Sequence, residues 1–398
     1  MNIRVEKSKT SGVVEAIASK SFAHRILICD FLSGNNLRKE FNGFCSKDIL
    51  ATYNCLSDIK SGKRVLDCDE SGSTLRFLLP LCAGLGGEFT FLGRGRLLSR
   101  PNTELLNSLS KNGISFEENK DNIKIWGKLK AGEIEIRGDI SSQYVSGLIM
   151  ALATLDSDSK IILTSPLASK PYVDITLSVL KGYGIKVQST DYGYFIKGSQ
   201  KFSGSLDAEG DWSNMAFYLV LGAINGGITV SGLNLQSVQG DKKILDILKS
   251  ANADITVGEN QITVSKSQLN GFSMDANDCP DLVPICAVLG ALASGKTIIH
   301  NIERLRLKES DRVFSTIEML KSFGIKAEEK ESSMIIYGGK ASGGVVNSFN
   351  DHRIVMSSAV LGAVACGESK ILDAGAVNKS YPTFFDDFKS VGGKASEL

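Results

Sequence analysis

Residues 70–84 read ESGSTLRFLLPLCAG, a short polar turn followed by an apolar stretch of helix length that ends at Gly. The same form returns as SSQYVSGLIMALATL from Ser141 and DWSNMAFYLVLGAINGG from Asp211. It returns again as DLVPICAVLGALASG from Asp281 and DHRIVMSSAVLGAVACG from Asp351. With Ser71 as the first anchor, each step from one anchor to the next is 70 residues. Four equal steps mark a repeat architecture, because chance does not produce them. A sixth copy, SKSFAHRILICDFLSG from Ser19, stands at a shorter gap.

Each repeat also carries a second helix that ends near Gly before a strand, as in LLNSLSKNGISF, DITLSVLKGYGIKV and VFSTIEMLKSFGIKA. The copy around Asp281 reads most clearly. FSMDA is a strand, LVPICAVLGALA a helix and TIIHNI a strand. DRVFSTIEMLKSFG is the second helix, and IKAEEKE with SMIIYG forms a hairpin. The pattern is βαβαββ, and the chain is α/β. The first helix of each repeat is apolar nearly all round, which places it in a core, and the amphipathic second helix lies outside.

At 398 residues the chain exceeds what one hydrophobic core supports, so two domains of three repeats each are expected. Residues 13–207 form the first. Residues 1–12 with 208–398 form the second, the chain crossing at Gly12 and again in LDAEGD near 206–211. The N-terminal strand IRVEK then belongs with the second domain.

Hydrophobic residues make up 42% and charged residues 22%, a globular balance. The net charge of +1 argues against nucleic acid or an anionic membrane as partner. The start, MNIRVEKSKT, has charges where a signal peptide has its apolar core, and no apolar run spans a bilayer. A cytoplasmic protein is expected. The eight cysteines contain no CxxC pair and read as buried free thiols.

Any cationic site must therefore be local. Each repeated turn stands at a helix N-terminus, where Ser, Asp or Asn serves as a cap. The free N–H groups and helix dipole there also attract anions, so six such turns facing one interdomain cleft would bind polyanionic substrates. Lys20 and Arg25 flank the first turn, Arg76 follows the second, and Arg353 sits at the sixth. GRGRLLSRP adds Arg94, Arg96 and Arg100. RLRLKESDR adds Arg304, Arg306, Lys308 and Arg312, and VNKSYP adds Lys379. Arginine suits bidentate recognition of carboxylate and phosphate.

At these residues the sequence resembles the enolpyruvyl transferase family. The likeness runs in order through SKSFAHR, SGSTLRF, RLLSRP, GDISSQ, SKPYVDITL, EGDWSN, DCPDLVP, RLKESDR, NDHR and NKSYP. The pairing of RLKESDR with NDHR is the specific part. The resemblance implies an inside-out α/β barrel of two domains with three βαβαββ units each, six in all. It implies transfer of the enolpyruvyl group of phosphoenolpyruvate to the 5-hydroxyl of shikimate 3-phosphate, on the route to chorismate and the aromatic amino acids. It implies a monomer, no metal and no organic cofactor.

By resemblance, shikimate 3-phosphate is bound by Lys20, Ser21, Arg25, Ser141, Ser142, Gln143, Ser169 and Tyr172, with Asp281 and Lys308 at its 5-hydroxyl. Phosphoenolpyruvate falls to Lys20, Gly72, Arg96, Gln143, Arg312, Arg353 and Lys379. Asp281 orients and deprotonates the 5-hydroxyl, Glu309 protonates the methylene carbon, and Lys20 lies between the two substrates. The chemistry asks for one base, one acid and several fixed cations. His24 and His352 adjoin these groups and read as packing or orienting residues. Glu70, Arg304 and Ala18 depart from the family, which often has Asn, Asn and Gly there. The branch acting on UDP-N-acetylglucosamine usually carries a cysteine in the loop matching GRGRLLSRP, and no cysteine lies between 83 and 278 here. A non-catalytic anion-binding relic is the other alternative, and the intact set of Lys20, Asp281, Glu309, Arg353 and Lys379 argues against it.

Overall fold

The chain opens with two short strands, β1 (Ile3–Glu6) and β2 (Gly12–Glu15), whose partners lie far along the sequence. Then come α1 (Lys20–Ser33) and α2 (Lys47–Lys60). The next repeat is β3 (Val65–Asp67), α3 (Gly72–Leu85), β4 (Gly87–Leu92), α4 (Thr103–Ser110), β5 (Ile114–Glu118) and β6 (Asn122–Gly127). It is followed by β7 (Glu133–Ile136), α5 (Ser142–Leu152), β8 (Ser159–Leu163), α6 (Lys170–Gly182), β9 (Val187–Thr190) and β10 (Gly193–Ile196). The repeat at Asp211 supplies α7 (Trp212–Ile224), β11 (Ile228–Ser231), α8 (Ile244–Ser250), β12 (Asp254–Val257) and β13 (Gln261–Ser265). That at Asp281 supplies β14 (Ser273–Asp275), α9 (Val283–Ala291), β15 (Lys296–His300), α10 (Arg312–Ser322), β16 (Ala327–Lys330) and β17 (Ser333–Tyr337). The last is β18 (Val345–Asn347), α11 (His352–Gly362), β19 (Ser369–Leu372), α12 (Phe384–Ser390) and β20 (Lys394–Glu397). This computed structural model describes residues 1–41 and 43–398, and no helix among them is long and apolar enough to cross a membrane.

The described strands pair into five four-stranded sheets of one design. In the order β3-β4-β6-β5 the first pair is parallel and the others antiparallel. The sheets β7-β8-β10-β9 and β14-β15-β17-β16 repeat it. Two sheets borrow a strand from the N-terminus. β2 lies parallel to β11, filling the first-strand place in the repeat at Asp211. β1 stands between β19 and β20, antiparallel to both, in the repeat at Asp351.

Two compact units result, a continuous one (Ala18–Ala208) and a split one (Met1–Ile17 with Glu209–Leu398). The sequence-based crossing at Gly12 therefore moves to Ile17, because β2 hydrogen-bonds to β11 and is held in the split unit. The second crossing falls at Ala208, inside LDAEGD.

The sixth copy is incomplete. The repeat at Ser19 keeps α1 and α2, but no four-stranded sheet among the described residues belongs to it. The chain has no length for one. Only residues 61–64 separate α2 from β3, which already belongs to the next repeat, whereas α4, α6, α8 and α10 are each followed by a hairpin.

In the split unit every residue of α7, α9 and α11 is buried, as helices apolar all round must be. The three pack on one another, and each is covered by its own sheet. In the continuous unit α3 packs against α5, and α5 against α6. Pro80 inside α3 cannot donate to the Arg76 carbonyl four residues back. Gly147 of α5 packs over that carbonyl, where a Cβ would come within 2.5 Å of the oxygen. Of the eight free cysteines six are buried, Cys45 is half-buried and Cys366 is exposed, so the expectation of buried thiols fails at those two.

Candidate active site

In the continuous unit the polar groups gather where α1, α3, α5 and α6 begin. Arg25, on the second turn of α1, is 2% exposed. Its Nε donates to Thr176 Oγ1 at 2.6 Å, and its Nη1 to the Ser21 carbonyl at 2.7 Å. Its Nη2 donates to the Tyr172 carbonyl at 2.8 Å and to Ser146 Oγ at 3.3 Å. The guanidinium also lies over the Phe77 ring, 4.8 Å from its centroid. Burial pushes its pKa down to about 9. Arg25 thus joins α1, α5 and α6, and Ser21 and Tyr172 are fixed through their backbones. Ser169, buried just ahead of α6, is held at φ 54, a left-handed conformation that costs a serine free energy.

Lys20 forms a half-buried ion pair of 2.8 Å with Asp48 of α2. Beneath it His24 shares a 2.7 Å hydrogen bond with Thr52, Thr52 one of 2.6 Å with Thr74, and Thr74 donates to Ser71 Oγ at 2.7 Å. This buried relay ties α1 to the cap of α3. Burial, then Lys20 and Arg25, keep the His24 imidazole well below its ordinary pKa and so neutral, an orienting rather than a proton-carrying state.

Gln143 is clamped from both sides. Arg76 Nη1 donates to its Oε1 at 2.8 Å, and its Nε2 donates to Ser73 Oγ at 2.9 Å. Ser141 caps α5 through the Gln143 N–H, and Ser142 is buried beside it. At Gly72 a Cβ would lie 2.9 Å from Arg100 Nη1, so the guanidinium rests on that glycine. Glu70 lies against Gly95, where a Cβ would be 2.8 Å from its Oε2. Arg96 stands apart, exposed and with no side-chain partner among the described residues.

The split unit concentrates charge around Arg312, which is 1% exposed. Its Nη1 donates to Asp281 at 2.7 Å, its Nη2 to Glu309 at 2.8 Å, and its Nε to Asp351 at 2.8 Å. Arg353 Nη2 donates to the other Asp281 oxygen at 2.9 Å, and Lys308 Nζ stands 3.7 Å from Asp281. Burial alone would raise the Asp281 pKa, but Arg353, Lys308 and Arg312 outweigh it and hold the carboxyl well below its usual range. Burial pushes Lys308 down to about 8 against the pull of Asp281. Lys379, on a 3-10 turn packed against α11, donates to the Asn350 carbonyl at 2.7 Å.

The capping expectation holds at four of the six turns. Ser71, Ser141, Asp211 and Asp351 accept from N–H groups of the helices they open. Ser19 and Asp281 do not. Asp281 lies within the 3-10 turn Pro280–Leu282 ahead of α9, which turns its carboxylate to Arg312 and Arg353. Glu309 precedes α10, whose cap is Asp311.

Sequence reasoning missed several participants. The sequence marks Asp351 as a cap, yet it also holds Arg312 and accepts from Ser310. Thr176, Ser146 and Asp48 are small polar residues with no signal in the sequence beyond their repeats. Asp241 is buried in the 3-10 turn Gly240–Lys243. Burial, with Asp281 and Asp211 against Arg353, pushes its carboxyl up to about 7. No group of three or more His, Cys, Asp or Glu among the described residues is arranged to hold a metal ion.

Residues 50–388 match the family model described as EPSP synthase (3-phosphoshikimate 1-carboxyvinyltransferase). The 3-phosphoshikimate 1-carboxyvinyltransferase of Clostridium novyi (strain NT) is 40% identical over 431 residues, covering 100% of this chain and 98% of that protein. That of Clostridioides difficile (strain 630) is 40% identical over 432 residues, with the same coverage. Among solved structures, EPSP synthase from Acinetobacter baumannii superposes with a TM-score of 0.81 at 23% identity, covering 100% of both chains. The enolpyruvyl transferase NikO from Streptomyces tendae gives 0.78 at 15% identity, covering 100% of this chain and 98% of that one. These structural likenesses carry the fold.

Proposed function

The chain belongs to the EPSP synthase family and has 3-phosphoshikimate 1-carboxyvinyltransferase activity (EC 2.5.1.19), and from that premise we propose how its residues divide the work. The reaction joins phosphoenolpyruvate to the 5-hydroxyl of shikimate 3-phosphate in the shikimate pathway and releases phosphate. In this reading Lys20, Ser21, Arg25, Ser141, Ser142, Gln143, Ser169 and Tyr172 hold the sugar phosphate on the continuous unit. Lys20, Gly72, Arg96, Gln143, Arg312, Arg353 and Lys379 hold phosphoenolpyruvate.

Glu309 delivers a proton to the methylene carbon, leaving a cationic carbon that the 5-hydroxyl oxygen attacks. Asp281 accepts the hydroxyl hydrogen bond and receives its proton as the new C–O bond forms. The tetrahedral adduct then expels phosphate and returns a methyl proton to the Glu309 carboxylate, which regenerates the enol ether, while the proton taken up by Asp281 leaves with the phosphate. The observation that carries this reading is the caging of Asp281 between Arg312 and Arg353 with Lys308 beside it. A carboxylate kept ionised accepts and aligns a neutral hydroxyl, and the same cations offset charge building on the phosphate.

The test is phosphate release with both substrates. Asp281→Ala and Glu309→Ala should each lower kcat by about 10²–10⁴-fold, the reach of a positioned acid or base. Calorimetric affinity for shikimate 3-phosphate should change far less, because most of its proposed contacts lie on α1, α5 and α6. Near-normal kcat at saturating substrate in either variant would remove that residue from its role.

A further inference from the structure

The loop entering α11 contains two successive residues in the left-handed region, Phe349 at φ 53 and Asn350 at φ 55. Asparagine tolerates this region but phenylalanine does not, so at Phe349 the loop keeps this shape only if its surroundings enforce it. Part of the enforcement is local. The Phe349 N–H donates to Asn347 Oδ1 at 2.7 Å, and the Asn350 N–H to Ser348 Oγ at 3.2 Å. Ser348 is buried, and its hydroxyl donates to the Asp373 carbonyl. A further restraint is a side chain from another element. The Phe314 ring, on the first turn of α10, meets the Phe349 ring edge-on, with centroids 5.7 Å apart and planes at 76°.

Phe314 has no reason to be aromatic for the core's sake, since it is 52% exposed on the face of α10 that also carries Glu318 and Lys321. Its place along the chain is telling. Its N–H is held by the Asp311 cap, one residue from Arg312. The loop it grips presents the Asn350 carbonyl to Lys379 Nζ at 2.7 Å and leads straight into Asp351 and Arg353.

We propose that Phe314 is a positioning residue for Lys379. By seating Phe349 it holds the left-handed pair, and the Asn350 carbonyl in turn fixes the Lys379 ammonium. The functional side of this rests on the reading of Lys379 as a phosphoenolpyruvate contact. The positioning itself does not.

Two measurements separate them. The first needs no substrate. The rate at which acetic anhydride acetylates Lys379, followed by peptide mass spectrometry, should rise by about two- to tenfold in full-length Phe314→Ala, the range over which an edge-to-face aromatic pair shifts an equilibrium. It should return to the parental rate in Phe314→Tyr. An unchanged rate in Phe314→Ala overturns the proposal, as does a rate that Phe314→Tyr fails to restore. The second measurement is kinetic. Phe314→Ala should raise KM for phosphoenolpyruvate by a similar factor, leave KM for shikimate 3-phosphate unchanged, and add nothing to Lys379→Met. Equal rises in both KM values, or full additivity with Lys379→Met, would show a general loosening and refute positioning. If Lys379→Met alone leaves KM for phosphoenolpyruvate unaltered while Phe314→Ala still speeds acetylation, the substrate role of Lys379 fails and the positioning stands.

Discussion

Replacing Arg312 with methionine removes one cation and strips a partner from three carboxylates. Asp351 suffers most, because it is fully buried and takes the Arg312 Nε at 2.8 Å and Nη2 at 3.3 Å. What remains to it includes the Ser310 hydroxyl and the Arg353 N–H, neither of which carries a charge at the contact. Breaking a buried pair from one side costs about 3–5 kcal/mol. Arg312→Lys keeps the charge but loses the fork, and should lose about 1.5–3 kcal/mol, the worth of a hydrogen bond to a charged group. The pH dependence supplies an internal check. In the parent, burial is outweighed by Arg312, and the Asp351 pKa is lowered, so its contribution is present above the unfolded carboxyl pKa and is lost as pH falls through the folded one. In Arg312→Met the same carboxyl is buried with less compensation and its pKa moves up, so its penalty is full at high pH and is relieved by protonation as pH falls. The deficit in urea unfolding, read by circular dichroism, should therefore be largest near pH 8 and shrink toward pH 5. A midpoint shift worth less than about 0.5 kcal/mol at pH 8, the usual scale of neutral surface changes, would refute the reasoning. So would a deficit that widens on acidification.

Gly147→Ala should destabilise by about 1–3 kcal/mol, since its Cβ would meet the Arg76 carbonyl at 2.5 Å and Pro80 at 2.9 Å; thermal melting checks it. Asp241→Asn should gain stability over the parent near pH 8. The Asp241 carboxyl is raised to about 7, so at pH 8 the parent carries a buried charge whose penalty is full. Between the unfolded carboxyl pKa and about 7 the folded chain keeps a proton that the unfolded chain has released, and the gain should fade as pH drops through that window. Lys308 is pushed down to about 8, so its positive charge is lost as pH rises through that value. The kcat/KM for shikimate 3-phosphate should fall on that limb, and Lys308→Arg, which stays charged, should move the limb upward.

The repeat was legible because its cause is periodic. An inner helix needs an apolar circumference, a polar opening and a Gly exit, and each of these is local in sequence. The strands borrowed from the N-terminus were not legible in that way. IRVE and GVVE are four-residue segments whose partners at Ser369–Ile371 and Ile228–Ser231 lie hundreds of residues away, and nothing local names them. This is why the local sequence points to a crossing at Gly12, whereas β2 carries the chain on to Ile17. The helix at Ser19 resembles the others and so suggests a sixth sheet, but the four residues between α2 and β3 leave no room for one. At the candidate site, residue types and turns could be read, but pairings could not. Arg25 meets Thr176 across 151 positions, and the Asp281 turn differs from its sister caps only in how one 3-10 turn directs a carboxylate.

The borrowed strands also set a clock on synthesis. Every strand of the continuous unit finds its partner within Ala18–Ala208, so that part can close while translation continues. β2 must wait for β11, and β1 for β19 and β20 at the far end of the chain. At roughly 5–20 residues per second, β1 leaves the ribosome on the order of 20–80 seconds before Lys394 exists. An apolar strand idle for that long is a template for pairing with the wrong chain. In β1 the apolar Ile3 and Val5 alternate with Arg4 and Glu6, and Lys7 and Lys9 follow, which places charge on every face of the waiting segment. A nascent chain released before Lys394 would carry a finished continuous unit and a split unit in which β1 has lost the neighbour on one side.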